Sequence, residues 1–437
     1  MITSELKMPL WLIPMLYAGV ASASGLLLPR LEHVFLSAYS HGIAVASAQA
    51  LLSAVASGMM ALTGVVFALA FVMVQFSALA YSPRLVTWLS QDPTLFHALG
   101  LFIATFMYAL AALAWTDRGG SGQVPLFSAL VVTVLLILSM IVFARLVQRL
   151  NCLQISEVLD FIGRRGRTVI RAMFPRLDTP AGADPDSARA LVAEARRRPV
   201  TQTLRYSGEP RSIASFQLDA LVRQAEAADC VIVLECAVGD TLVEDTLLLR
   251  VHGGSRPLVE GPLRQAIRLA RQRTFEQDPK YPLRLLVDIA IRALSPAIND
   301  PTTAVQAIDQ IEDLLLRLGR RALDAGSVTD RAGALRVVFP TPTWEDYLTL
   351  AFDEIRHYGA DSVQVMRRLR AALLGLEDSL TEADRAEAVR RYLKHLNQAV
   401  QHSVLDAQDQ TTALRDDRQG LGLTRWRAAP DEPPREA

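Results

Sequence analysis

Apolar positions follow two regimes along this chain of 437 residues. Up to about residue 150 they form four near-continuous runs: Met8–Leu28, Ser53–Ala80, His97–Trp115 and Val124–Val147. Asp, Glu, Lys and Arg are missing from all four until Arg145. Crossing a hydrocarbon core of about 30 Å takes roughly 20 helical residues. A helix that is apolar on every face has no use for water, so the pattern predicts four transmembrane helices over 1–150. The first run is not read as a cleavable leader, because no small-residue cleavage site closes it and three more runs follow.

Beyond residue 150 the pattern becomes periodic. Residues 151–200 read as a juxtamembrane helix, with an Arg-rich face suited to anionic headgroups, and a linker carrying one short helical piece. Residues 201–258 read as a small α+β unit: strands "SIASF", "CVIVLECAV" and "LLLRV", helix "LDALVRQAEAAD", and turn "GDTLVEDT". Residues 259–424 read as helical, beginning with one helix over "GPLRQAIRLARQRT" and a second over "LRLLVDIAIRAL". A turn and one strand are expected at 329–340, a capped helix start at Thr343 with Asp346, and two helices meeting near Gly359. A last helix is expected from Ala383 to Ala413, and residues 425–437 are expected to be disordered. The fold class is therefore an α-helical membrane protein with four transmembrane helices plus a cytosolic α+β, mostly helical domain.

Charge sets the expected orientation. The chain holds 45 basic and 45 acidic residues, yet Arg145, Arg149, Arg164, Arg165, Arg167, Arg171 and Arg176 cluster after the fourth run. Such a cluster stays on the cytoplasmic side, which puts both termini and loop 81–96 there and loops 29–52 and 117–123 outside. Cys152, Cys230 and Cys236 then lie in a reducing compartment, with no CxxC or Cys/His spacing. Topology and headgroups account for the arginines, so no nucleic-acid partner is expected; the lipid bilayer is.

The chemistry excluded is as informative. No ionisable group lies inside the runs, which argues against a proton relay; Gln75, Thr63, Ser77, Thr105 and Tyr108 read as helix–helix hydrogen bonds. "VGDTLVEDTLLLRV" is reminiscent of the hairpin of lipoyl-type barrels, but the only lysines are Lys7, Lys280 and Lys394, none at its tip. No GxxxxGK[ST] loop, metal-ligand spacing or nucleophile–base pair is present, so no cofactor, metal or enzymatic activity is expected. His357, His395 and His402 lack a partner pattern and read as surface or core residues.

Two features remain as candidates. The second run carries Ala54, Ser57, Gly58, Ala61, Gly64 and Ala68 at steps of three and four, one face where helix backbones approach closely. Packing within the chain and packing between copies are equally open readings. The other is "RALSPAINDPTTAVQAID". Ser295-Pro296 and Asp300-Pro301 both have the form of an N-cap followed by proline at the first helical position. Asn299 suits the left-handed conformation between them. The second start opens an amphipathic helix with Ala304, Ile308, Ile311, Leu315 and Leu318 on one face. Upstream, Arg284, Asp288 and Arg292 share a face that runs into Ser295. With Thr302 and Thr303 supplying hydroxyls, the segment reads as a stiffened elbow, a ligand or small-ion site, or a subunit contact.

The four runs, "YSPRL" in the second loop, "RTFEQDPKYPLRLLVDIAIRALSPAINDPTTAVQAID" and "AFDEIRHYG" together resemble the bacterial membrane-protein family catalogued as domain of unknown function 2254. Relatives would be expected to start the strand at "IASFQLD" with a Gly-Tyr-type pair, where this chain departs. The resemblance implies a bacterial inner-membrane protein and carries no activity, cofactor or catalytic residues. Three functions are then in play. One is a homo-oligomer, with or without a pore, gated or regulated by its cytosolic domain. Another is a tethered signalling or scaffold domain. The last is a membrane-surface enzyme using Asp288, Arg292, Asp300 and Arg273 or Asp278.

Overall fold

The computed structural model describes residues 11–35, 44–80, 93–116, 126–150, 155–177, 185–323 and 326–421. The chain divides into two units at residues 155/156. In the first, four helices follow one another: α1 (Leu12–Phe35), α2 (Val45–Ala80), α3 (Pro93–Trp115) and α4 (Leu126–Leu150). Each contains a stretch long and apolar enough to cross a membrane: Leu12–Glu32, Val45–Val72, Thr94–Trp115 and Phe127–Gln148. Helix α1 runs past the expected end at Leu28, through Pro29, to Phe35, so the following loop is shorter than the sequence suggests.

Helix α3 is the centre of this unit. Ala98, Phe102, Ala109 and Ala112 are fully buried on it, and α1 and α2 both pack along it. Two glycines let α1 and α3 close up. A Cβ on Gly25 would stand 2.6 Å from Ala111 Cβ, and one on Gly100 would stand 2.9 Å from the Tyr17 ring. Tyr17 faces Gly100 and Gly25 faces Tyr108, eight residues further on in both helices, so α1 and α3 run parallel, as alternate passes must. Glu32 then caps α4: its carboxylate accepts hydrogen bonds from the Phe127 N–H (2.7 Å), the Ser128 N–H (3.1 Å) and the Ser128 hydroxyl (3.1 Å). Arg30 lies over the Trp115 ring, 5.2 Å from its centroid, at the same end. Thr105 and Ser139 share a 3.0 Å hydrogen bond between α3 and α4, as expected of a buried hydroxyl pair, while Thr63 bonds back to the Met59 carbonyl. The side chains of Gln75 and Ser77 lie outside the described residues.

The outer faces are apolar too. Phe67, Phe71, Leu130, Ile137 and Met140 are among the large side chains left exposed. Exposed apolar surface on this scale marks contact with lipid or another helix.

The second unit begins with α5 (Ile155–Met173) and α6 (Pro185–Arg197). Its strands are β1 (Val200–Arg205), β2 (Arg211–Phe216), β3 (Cys230–Leu234), β4 (Thr241–Leu242), β5 (Leu247–Gly253), β6 (Ile267–Ala270), β7 (Ser327–Thr329) and β8 (Leu335–Val338). Between them lie α7 (Leu218–Ala227), α8 (Glu260–Gln265), α9 (Lys280–Ala293) and α10 (Pro301–Leu318). The chain continues with α11 (Trp344–Tyr358), α12 (Val363–Ser379), α13 (Ala383–Gln401) and α14 (Ala407–Ala413). Five strands form one sheet in the order β1-β5-β3-β8-β7, antiparallel except for β3 and β8, where Ile232 pairs with Val337. Three form a second sheet, β4-β2-β6. One core joins them: Leu204, Ile232, Leu249 and Val337 from the first sheet meet Ile213, Phe216, Leu242 and Ile267 from the second and Leu221 of α7. On the other face of the large sheet, Ala195 and Val192 of α6 pack with Val231, Val233, Leu335 and Val338. β3 is therefore buried on both faces, which is why its five residues read as an unbroken apolar run.

Several expectations are corrected. Segment 261–274 is not one helix: α8 ends at Gln265 and β6 follows, because Ile267–Ala270 pair with β2 (Phe216 opposite Ile267). Tertiary pairing overrides helical periodicity there. Region 329–340 supplies not one strand alone, since β7 pairs with β8 from just before it. The short helical piece expected in the linker is α6, and what the sequence did not show is that it covers a sheet face. The last helix is two, broken between Gln401 and Ala407. Residues 425–437 lie outside the described residues. The capped start at Thr343 is a full capping box with Asp346, and α11 and α12 meet at Gly359 as expected.

Candidate functional site

The signature segment joins α9 to α10. Buried Leu286 and Ile289 on α9 and Ile308, Ile311 and Leu315 on α10 hold the pair together, which leaves the connection at one end of the helices. Along α9, Arg284 makes a two-pronged bond to Glu354 of α11, both contacts at 2.7 Å, and its Nε donates to Asp288 at 2.6 Å. The Arg284 guanidinium holds Glu354 below the ordinary carboxylate range. Bonding to Glu354 and Asp288 in turn raises the arginine's own pKa against the opposing effect of burial. Asp288 thus pairs toward Arg284, and Arg292 lies half-buried on the last turn.

The backbone of the elbow is closed on itself. The Ser295 carbonyl accepts from the Ile298 N–H (3.0 Å) and the Asn299 N–H (2.9 Å), with Pro296 second in that turn, where proline is favoured. Asn299 has φ 49°, the left-handed conformation its side chain tolerates. The Asp300 N–H returns to the Ala293 carbonyl at 2.8 Å. Ser295-Pro296 therefore does not start a helix: a single turn occupies the segment before the chain reverses. Asp300-Pro301 does start one. Asp300 accepts from the Thr303 N–H at 3.1 Å and from its hydroxyl at 2.5 Å, with Pro301 at the first position.

These bonds place the candidate residues. Asp300 and buried Thr303 satisfy each other, while Pro296, Asn299 and Thr302 face outward, and Ile298 is 45% exposed. Arg273 and Asp278 lie at the far end of α9, whose 14 residues span about 21 Å. There the Arg273 Nε meets Asp278 at 2.8 Å, and Asp278, 1% exposed, also accepts from the Lys280 N–H at 3.1 Å. Burial raises the Asp278 pKa against the pull of Arg273. The acidic and basic groups grouped from sequence as a surface-enzyme set are therefore strung along one helix rather than gathered. Among the described residues no three His, Cys, Asp or Glu side chains form a metal-binding group. His357, His395 and His402 are exposed. Burial pushes the Cys236 thiol up to about 11 and raises that of Cys230, so both are protonated and inert.

The small-residue face of α2 has a clear position in the first unit. Ala48, Leu52, Val55, Ala56, Met59 and Val66 are the described residues that α2 buries. Ala54, Ser57, Gly58, Ala61, Gly64 and Ala68 are all exposed, and no atom lies within 4 Å of a Cβ built on Gly58 or Gly64. Among the described residues of the first unit, none packs against this stripe. Close helix packing in the unit falls to Gly25 and Gly100 instead.

Sequence reasoning also missed the docking of α5. Its Gly163 and Gly166 face α10: a Cβ on Gly163 would collide with the Gln310 side chain, and one on Gly166 would stand 2.8 Å from Leu314. Arg167 bonds Asp313 at 2.9 Å and Asp160 at 3.3 Å. Burial works against the Asp313 carboxylate, but Arg317 and Arg167 together hold its pKa below the usual range. The two glycines of "GRRG" (163–166) within an otherwise amphipathic helix were the available signal.

Comparison with known proteins completes the picture. An uncharacterized protein of Mycobacterium bovis and one of Mycobacterium tuberculosis are each 27% identical to this chain over 428 residues, covering 94% of it and 80% of theirs. No solved structure matches. The model of the family described as "Predicted membrane protein (DUF2254)" matches residues 7–374, and with the four apolar helices in place the chain belongs to that family of membrane proteins.

Proposed function

We propose that this protein is a non-enzymatic, multi-pass protein of the bacterial inner membrane. In this reading it assembles into a homo-oligomer around a pore, and its cytosolic second unit regulates that pore. The observation carrying the proposal is the α2 face: six small residues at steps of three and four, exposed among the described residues of the first unit. Small side chains let helix backbones approach closely in lipid, where dispersion and packing drive association. The interior of the first unit supports placing any path between copies. Its described core is sealed by Leu52, Met59, Phe102, Tyr108 and Val132, with Thr105 and Ser139 bonded to each other. The arginine cluster after α4 supports cytoplasmic termini. Reconstitution into liposomes tests the pore: ion or solute flux is expected, and its loss with Gly58→Leu. Flux absent from correctly folded, assembled wild-type protein would sink the pore.

A tethered signalling or scaffold domain is the second reading. It is favoured by the self-contained core shared by the two sheets and by the separate helical core behind the elbow. A soluble fragment covering 156–421 that folds and captures the same partner as the full chain would favour tethering over the pore.

A further inference from the structure

We propose that the first unit carries a built binding groove for one acyl chain of a bilayer phospholipid. The groove lies where α1, α3 and α4 come together, has a volume of about 450 Å³, and is walled by Leu16, Val20, Leu28, Leu101, Val131 and Leu135. Helix α1 follows α3 closely through Gly25 and Gly100 but meets α4 only sparingly, and the wedge between them is the groove. Specific contacts hold its two ends. The Tyr17 hydroxyl lies 3.3 Å from His97 Nδ1 at one end. At the other, Glu32 ties the last turns of α1 to the first residues of α4. These contacts fix one end of α1 against α3 and the other against α4.

Its dimensions fit the occupant. Tyr17 to Leu28 spans about 17 Å of helix, close to the roughly 15 Å of hydrocarbon in one leaflet of a 30 Å core. The Ser24 hydroxyl is satisfied by the Val20 and Ala21 carbonyls, and the Tyr108 hydroxyl, also in the lining, is buried. A charged ligand would find no countercharge along this wall, whereas an alkyl chain gains dispersion contacts along its length. The groove belongs to the membrane-spanning helices, so acyl chains are the medium that surrounds it.

The full-length protein reconstituted with a phospholipid bearing a photoreactive diazirine in its acyl chain tests this directly. Crosslinks concentrated at residues 16–28, 101–108 and 131–135 are expected. Even labelling of all outward helix faces would overturn the proposal, as would crosslinks at the groove to another copy of the chain. Native mass spectrometry of the detergent-purified protein should find one phospholipid retained per chain. Ala104→Trp and, separately, Val131→Trp should lower that retention at least about tenfold, while Met60→Trp, exposed on α2 outside the small-residue stripe, leaves it unchanged. Unchanged retention in both groove variants would equally overturn it. Should Ala104→Trp fail to fold, Val131→Trp at the rim and the wild-type labelling pattern still decide the matter.

Discussion

At the residue scale, Asp300 shows how far a sequence motif can be read. Asp-Pro at a helix start is local grammar, and the structure writes it as expected: side chain to the Thr303 N–H, proline at the first position. Ser-Pro has the same grammar, yet Ser295-Pro296 makes a turn. The left-handed Asn299 reverses the chain before a first helical turn could form, and the Asp300 N–H is already committed to Ala293. Nothing in the local pattern carries that long-range closure. Because both Asp300 oxygens serve Thr303, its capping oxygen should matter more than its charge. Asp300→Ala should cost about 1 kcal/mol of stability and Asp300→Asn only a few tenths, read as thermal midpoints in matched detergent. Loss of flux with Asp300→Asn in fully folded protein would instead show that the charge is used. Arg284→Ala removes a two-pronged, partly buried bond to Glu354 and should cost about 1–2 kcal/mol, discounted for the exposure of Glu354.

Among the elements, the four apolar helices were legible because composition alone decides them: no other use exists for such runs. Sheet pairing was far less so. β6 reads as helix until its partner β2 is known, and α6 reads as a short helical piece in a linker until the sheet face it covers is known. Helix α5 is a similar case, since its Arg-rich character suggested headgroups while Arg167 turns inward to Asp313. The backbone approach at Gly166 makes a sharp test. Gly166→Leu forces a large side chain against Leu314 and Pro282 and should destabilise the second unit by about 1–3 kcal/mol. Exposed Gly333, on the other hand, has open space but φ 84°, so substitution there is limited by backbone strain alone.

For the whole molecule, acid sensitivity follows from the ion pairs that join helices of the second unit. Glu354 and Asp313 have folded-state pKa values held below their ordinary ones, so their stabilisation is complete at neutral pH. It is lost as pH falls below about 4, through the depressed folded values. Asp278 has the opposite sign: burial raises its pKa, so its charged form opposes folding at neutral pH and that cost relaxes on acidification. With Glu354 and Asp313, and likewise Asp229 and Asp330 beside Arg336, set against Asp278 alone, thermal midpoints should fall between pH 5 and pH 3, less steeply in Glu354→Gln.

Assembly through α2 is the central claim, and the sequence left it balanced against packing within the chain. The small-residue face is exposed among the described residues of the first unit, which favours lipid or another copy as its neighbour. The direct measurement is the protein mass of the purified full-length chain in detergent or nanodiscs by light scattering. A defined multiple of 47.9 kDa is predicted, shifting toward one chain in Gly58→Leu/Gly64→Leu while the helical content is unchanged. A monodisperse 47.9 kDa wild-type protein, or an oligomer indifferent to both substitutions, would contradict the account.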